Sequence, residues 1–438
     1  MRRFGFFLVS SVLSTALLAC SAGKEESSPT GSLDGSLADG SFDVELNVDG
    51  LSSDGTVEKP ATLKGKVVAP EGTIPIFGAL VYTTPTAPPP IPDKVYCDKC
   101  VKLVDGTPFT TTAADGSFTL PTVLGEQYLV VQKGAFRRVR TIKAVAGEQT
   151  VPKALTTLPP KTDKAKGDDV PKIAVALGAW DPVEIVLARL GLEAKITVGG
   201  FIPKARVLSK DATGFAIYGV QELGETSPYP NPTKLLTDPA EISKYHVVFI
   251  PCSGGTESEG DGPKCSGVWN SGTKATVEGF VKAGGRVYVS DWSYEYVRQT
   301  FSGFVNWRSE TSTIGSACEG GGGDQAAKVE DPDLAAWFKA QGKSLDTVKD
   351  AWTHINKVNA VADLDPDGKA VTSTPKVWVS AAGSPATTSF EHSCGRVLYT
   401  TYHTQPTSEG AAPLEPQALA LLYLILEVNV CVGPPIIK

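Results

Sequence analysis

From Val170 to about residue 430, short apolar runs alternate with stretches of helical period. PKIAVALG, GFAIYGV, YHVVFIP and RVYVSD read as strands buried on both faces. DPVEIVLARLG, with apolar Val183, Ile185, Val186, Leu187 and Leu190, reads as a helix, and TKATVEGFVKAGG as another that stops at glycine. Later, KVWVS, TTSFEH and GRVLYTTYH add strands, and Leu414 to Val430 a last helix. This alternation predicts a parallel, doubly wound α/β sheet. In such sheets ligands sit beyond the carboxyl ends of the strands. The first candidates for function therefore lie at those ends.

The chain ahead of this domain changes pattern. Residues 59–157 hold short β-rich runs punctuated by turn residues, as in Ala114-Asp115-Gly116 before Ser117 to Leu120, and predict an all-β sandwich. Residues 158–169 (LPPKTDKAKGDD) read as a polar linker between the sandwich and an α/β domain over 170–432. Residues 20–58 are Ser, Gly, Asp and Glu with few apolar side chains. They cannot bury a core and read as a disordered, flexible tether. Residues 1–19 read as a signal peptide: Arg2 and Arg3 precede an apolar run, Phe4 to Leu18, too short to span a membrane. The run ends Leu17-Leu18-Ala19-Cys20, which resembles a bacterial lipobox with Cys20 as the lipid-bearing residue. Ser21, rather than Asp, follows; by resemblance to Gram-negative sorting rules this favours the outer membrane, as part of a cell-envelope location. The expected partners are the membrane, through Cys20, and an envelope protein or glycan. A net charge of −7 without a basic patch excludes nucleic acid.

Export places Cys97, Cys100, Cys252, Cys265, Cys318, Cys394 and Cys431 in an oxidising compartment, where disulfides are the default. Seven is an odd number, so at least one thiol stays unpaired or pairs elsewhere. Cys252 and Cys265 flank a Gly/Ser/Glu-rich loop and are expected to pin it, with a reactive Cys252 as the alternative. Cys97 and Cys100 lack the second CxxC of a zinc knuckle, so no metal is expected there. They read as a short-range disulfide or as partners of distant cysteines.

Gly65, Gly78-Ala79-Leu80-Val81, Thr112, Asp115-Gly116-Ser117-Phe118, Gly125, Tyr128 and Gly134 carry a resemblance to the carboxypeptidase regulatory-like domain, a transthyretin-type β-sandwich. That resemblance implies a spacer, not chemistry. The insertion PTAPPPIPDKVYCDKC departs from it. The segment Val247 to Pro251 with its Gly-containing loop, the helix Val277 to Ala283, Gly284-Gly285, the strand into Asp291 and the strand Gly395 to Tyr402 before His403 resemble the class I glutamine amidotransferase-like fold, a flavodoxin-like arrangement. The tandem also resembles myxobacterial-type lipoproteins. The amidotransferase resemblance implies a cysteine at the strand–helix turn, activated by a histidine of a later strand. Here that turn is Ser290-Asp291-Trp292-Ser293, without a cysteine. Asp291 is expected to cap the following helix, or else to act as a nucleophile or orient His403.

The expected function is a non-catalytic module that binds a ligand or partner around Trp180, Asp181, Cys252, Ser253, Gly254, Gly255, Asp291, Trp292 and His403. One rival is a hydrolase using Asp291 and His403 on polysaccharide or peptide. Another is a purely structural outer-membrane accessory protein. The aromatics Trp269, Tyr294, Tyr296 and Trp307 fit either a binding face or a core. Asp363, Asp365 and Asp367 match the opening of a calcium loop. Thr374 stands where a bidentate glutamate is needed, so an Asp/Gly turn is the leading reading and calcium the lesser one. No other cofactor is expected.

Overall fold

The computed structural model describes residues 60–97, 101–178, 180–192, 196–198, 206–208, 214–219, 229–253, 269–317, 323–404, 414–428 and 436–437. The expectations for the signal peptide, Cys20, the tether, Cys100, Gly254, Gly255, Cys265, Cys318 and Cys431 lie outside these residues. No helix among the described residues is long and apolar enough to cross a membrane.

The α/β region is built on a nine-stranded sheet. Its strands, in chain order, are β1 (Ile173–Ala176), β2 (Ala216–Tyr218), β3 (Val247–Ile250), β4 (Arg286–Ser290), β5 (Gln325–Val329), β6 (Thr347–Val348), β7 (Lys376–Ala381), β8 (Ser384–His392) and β9 (Gly395–Thr400). Across the sheet they run β2-β1-β3-β4-β9-β8-β7-β5-β6. The first five are parallel, and the rest pair antiparallel. The expected all-parallel sheet is thus corrected to a mixed one. The reason is local: β7, β8 and β9 follow one another through tight turns that leave no room for crossover helices.

Successive residues of a strand point to opposite faces. Val175, Val247, Phe249 and Leu398 enter a core that also holds Val186, Leu187 and the terminal helix Pro416–Val428. Ala174, Val248, Ile250, Val287 and Val289 enter another, with Leu235, Val277 and Phe280 from helices Pro232–Thr237 and Ser271–Lys282. Apolar residues fill both faces, which is why these strands show no in/out alternation in sequence. Tyr294, Tyr296 and Trp307 belong to the second core, which settles them as packing residues.

The β-rich region forms two sheets. One contains Ser117–Thr122, Ala61–Lys66 and Gly147–Thr150; the other contains Phe109–Thr111, Leu80–Thr84, Gly125–Lys133, Phe136–Ala144 and Asp168–Asp169. The stretch 158–169 is therefore corrected from linker to sandwich edge. Asp168 takes Arg138 and Arg140, and Asp169 takes Arg137 and Lys164, in largely buried ion pairs. The charges that suggested solvent in the sequence are matched inside. The sandwich also shares its core with the α/β region. Trp337 Nε1 donates to the Pro75 carbonyl (2.8 Å), and Glu71 N to the Leu190 carbonyl (3.0 Å).

The insertion 85–97 crosses onto the α/β region. Val95 N donates to the Ser243 carbonyl (3.0 Å), and Tyr96 meets His246 edge-on. His246 is buried; its Nδ1 accepts from Lys172 N (2.8 Å), and its Nε2 lies 3.0 Å from the Pro92 carbonyl. Burial pushes the His246 imidazole down to about 4 from 6.5. A base held neutral in the fold binds its proton more readily when unfolded. Stability is therefore full above pH 6.5 and is lost as pH falls towards 4, by roughly 3 kcal/mol in all. His246→Gln keeps an acceptor and a donor but cannot titrate. Urea unfolding of both proteins across this window should show the wild type losing its lead over the variant. A constant difference would refute the assignment.

Asp363 and Asp365 lie on and beside the hairpin Val361–Leu364 and Ala370–Ser373. Asp365 Oδ1 accepts from the amides of Asp367 and Lys369, and Asp363 Oδ2 lies 3.0 Å from His392 Nδ1. These carboxylates are used within the protein, as in the Asp/Gly turn reading.

Candidate functional site

The chain leaves β1 for one side of the sheet and returns to β3 on the other. The carboxyl ends of β1 and β3 thus border the crevice where open α/β sheets bind ligands. Gly178 follows β1, and Pro251-Cys252-Ser253 follow β3. A Cβ on Gly178 would stand 2.4 Å from the Cys252 carbonyl oxygen, so only glycine permits this approach. Cys252 N donates to Ser290 Oγ (2.8 Å), which donates to Asp181 Oδ2 (2.6 Å). Asp181 Oδ1 accepts from Thr404 N (2.9 Å) and from the Thr404 hydroxyl. Asp181, expected as a ligand-binding residue, is instead a buried tie between the ends of β1, β4 and the segment after β9. It fixes both Cys252 and the neighbourhood of His403.

Asp291 turns β4 into a short 3-10 helix, Asp291–Tyr294, at a φ of 43° that non-glycine residues seldom adopt. Its carboxylate does not cap that helix, which corrects the leading expectation. Oδ1 accepts from Thr353 Oγ1 (2.9 Å), Oδ2 accepts from Trp352 N (3.2 Å), and His403 Nε2 lies 2.9 Å from Oδ2. The last contact is an ion-pair approach, not lined up as a hydrogen bond. Tyr399 OH donates to the Asp291 carbonyl (3.0 Å) and lies 2.7 Å from Thr353 Oγ1. Gln417 Nε2, from the terminal helix, donates to the His403 carbonyl (2.8 Å).

Cys252 is a buried free thiol, in place of the expected bridge to Cys265. A ligand atom from each of Cys252, Asp291 and His403 lies within 4.8 Å of the other two, and all three residues are buried. Among the described residues no other trio of His, Cys, Asp or Glu does this. Burial raises the Cys252 thiol to about 11, against the pull of His403. Burial likewise raises the Asp291 carboxyl, with His403 opposing. For His403 burial acts downward, but an anionic Cys252 and the Asp291 carboxylate outweigh it, so the imidazole is held above its ordinary range. That rise depends first on a deprotonated sulfur. It describes the pair after a proton has moved from thiol to imidazole.

Trp292 and Trp352 meet edge-on at 5.9 Å beside this trio, and Trp180, whose N–H reaches the Cys252 carbonyl (3.3 Å), is 48% exposed. Ser253 is buried. Sequence reasoning missed Thr353, Trp352, Tyr399 and Gln417. They carry no motif, and only the fold gathers them.

No protein-family model matches the chain, and no curated protein matches it. Among solved structures, a cytoplasmic protein of Salmonella typhimurium aligns with a TM-score of 0.30 at 12% identity, over 59% of this chain and 97% of that one. A GMP synthase component of Thermoplasma acidophilum, so described by its title as a candidate, aligns at 0.32 and 11% identity, over 59% of this chain and 93% of that one. Likeness at this level supplies no chemistry, which rests on the chain's own geometry. In that geometry the elbow after β4 holds Asp291, and the sulfur comes from the adjacent strand β3.

Proposed function

We propose that the chain is a thiol-dependent acyl hydrolase or transferase of the cell envelope, anchored through Cys20. The carrying observation is the convergence of Cys252, His403 and Asp291 at the carboxyl edge of the sheet. Cys252 Sγ attacks a carbonyl carbon while its proton passes to His403, and Asp291 stabilises the imidazolium. The tetrahedral adduct collapses, His403 protonates the leaving amine or alcohol, and a thioester remains on Cys252. Water, deprotonated by His403, or another acceptor then takes the acyl group. A thiol nucleophile suits peptides, amides and esters rather than glycosidic bonds, and so favours the peptide side of the hydrolase reading. The Cys97–Cys394 disulfide supports an exported location. A second reading, a glycan- or peptide-binding module, is favoured by Trp180, exposed beside Trp292 and Trp352.

The test is intact-mass analysis of the full chain after exposure to activated esters such as p-nitrophenyl acetate and to a panel of peptide esters. One acyl group, absent in Cys252→Ser and mapped to Cys252, is the expected result. Acylation elsewhere, or none, sinks the enzyme reading and leaves the binding module.

A further inference from the structure

We propose that Cys252, His403 and Asp291 hold a thiophilic divalent cation, zinc by their donor set. Sulfur, imidazole nitrogen and carboxylate oxygen are zinc's usual protein donors, and three of them with a fourth position open form a common arrangement. The three donor atoms already lie within 4.8 Å of one another. Bonds of about 2.0–2.3 Å would require only a modest closing of the trio. Charge also fits: a thiolate and a carboxylate balance a dication, and the strongest charged neighbours of each group are the other members of the trio. Buried charges need such matching.

The surrounding contacts are those that orient metal ligands. Thr353 Oγ1 and Trp352 N hold the carboxylate, Ser290 Oγ holds the Cys252 amide, and Gln417 Nε2 holds the His403 carbonyl. The His403 Nε2–Asp291 contact, close but not lined up, becomes useful once an ion sits between donors. The bound ion would occupy the sulfur and so block its attack on a carbonyl. The proposal shares residues with the acyl-transfer reading but does not rest on it.

The experiment titrates the metal-free full chain with zinc and with cobalt(II). One tightly held equivalent is expected, with a thiolate-to-cobalt charge-transfer band and protection of Cys252 from iodoacetamide. Cys252→Ser should abolish the band, and His403→Ala, which removes no thiol, should abolish it too. Thr353→Ala, outside the donor set, should weaken binding about 10–100-fold. No retained ion, or a band and affinity unchanged in Cys252→Ser and His403→Ala, overturns the proposal. Acylation is measured without metal, so either claim can fail alone.

Discussion

Asp291→Asn is expected to slow acylation of Cys252 by about 10²–10⁴-fold while leaving the fold in place. The substitution is close to isosteric. With its oxygen in the position of Oδ2, the amide still accepts from Trp352 N and still faces His403. Its NH₂ then donates to Thr353 Oγ1, whose own proton turns to Tyr399 OH. Every hydrogen bond is remade, and only the negative charge is lost. That charge is one of two that hold the imidazolium in a buried site. Without it, His403 binds a proton less tightly, so the acid limb of the rate–pH profile moves to lower pH as the maximum rate falls. Single-turnover acylation across pH, with thermal unfolding of the same samples, reads both effects. An unchanged rate in a stable variant would make Asp291 a purely structural residue of a strained turn.

The parts of this site legible in the sequence are those that local pattern dictates. VVFI and RVYVS are apolar throughout because both faces of β3 and β4 are covered. Their carboxyl ends, with Cys252 and Asp291, therefore stand out as candidates from the residues alone. His403 stands out in the same way, at the end of a strand. The mutual contact of the three is not legible: Cys265 nearby in sequence suggests a bridge, and Asp291 before a helical stretch suggests a cap. Both inferences weigh neighbours along the chain, whereas β3, β4 and β9 become neighbours only through the sheet order. The antiparallel half is hidden for a related reason. A strand buried on both faces looks the same whichever way it runs, and direction comes from the connections. The charge-rich stretch 158–169 misleads in the opposite sense, because its aspartates meet arginines on a strand that only the folded sandwich supplies.

Removing the Cys97–Cys394 bridge should be the costliest single covalent change. It joins residues 297 apart, where the expected Cys97–Cys100 pair would have closed a loop of a few residues. Cross-links over long loops remove more freedom from the unfolded chain, and a value of roughly 3–5 kcal/mol is expected. Engineered bridges often give less because they distort the fold. Here the segment is docked by other contacts as well. Val95 N bonds to the Ser243 carbonyl, Tyr96 packs on His246, and the Tyr96 carbonyl approaches Gly284 so closely that a Cβ there would stand 2.0 Å from it. Cys394 meets it from the turn between β8 and β9, where Asp363 Oδ2 accepts from Ser393 N (3.2 Å). The bridge therefore closes a contact that already exists, and most of the entropic gain should survive. The double variant Cys97→Ala/Cys394→Ala should melt about 5 °C lower, and non-reducing peptide mapping of the wild type should recover the two cysteines linked. The strap lies against His246 and Gly284, at the amino ends of β3 and β4, away from the Cys252 edge. The double variant should therefore acylate at the wild-type rate below its melting temperature. A peptide map pairing Cys97 with Cys100, or an unchanged melting temperature, would refute the account of the insertion as a covalently locked strap.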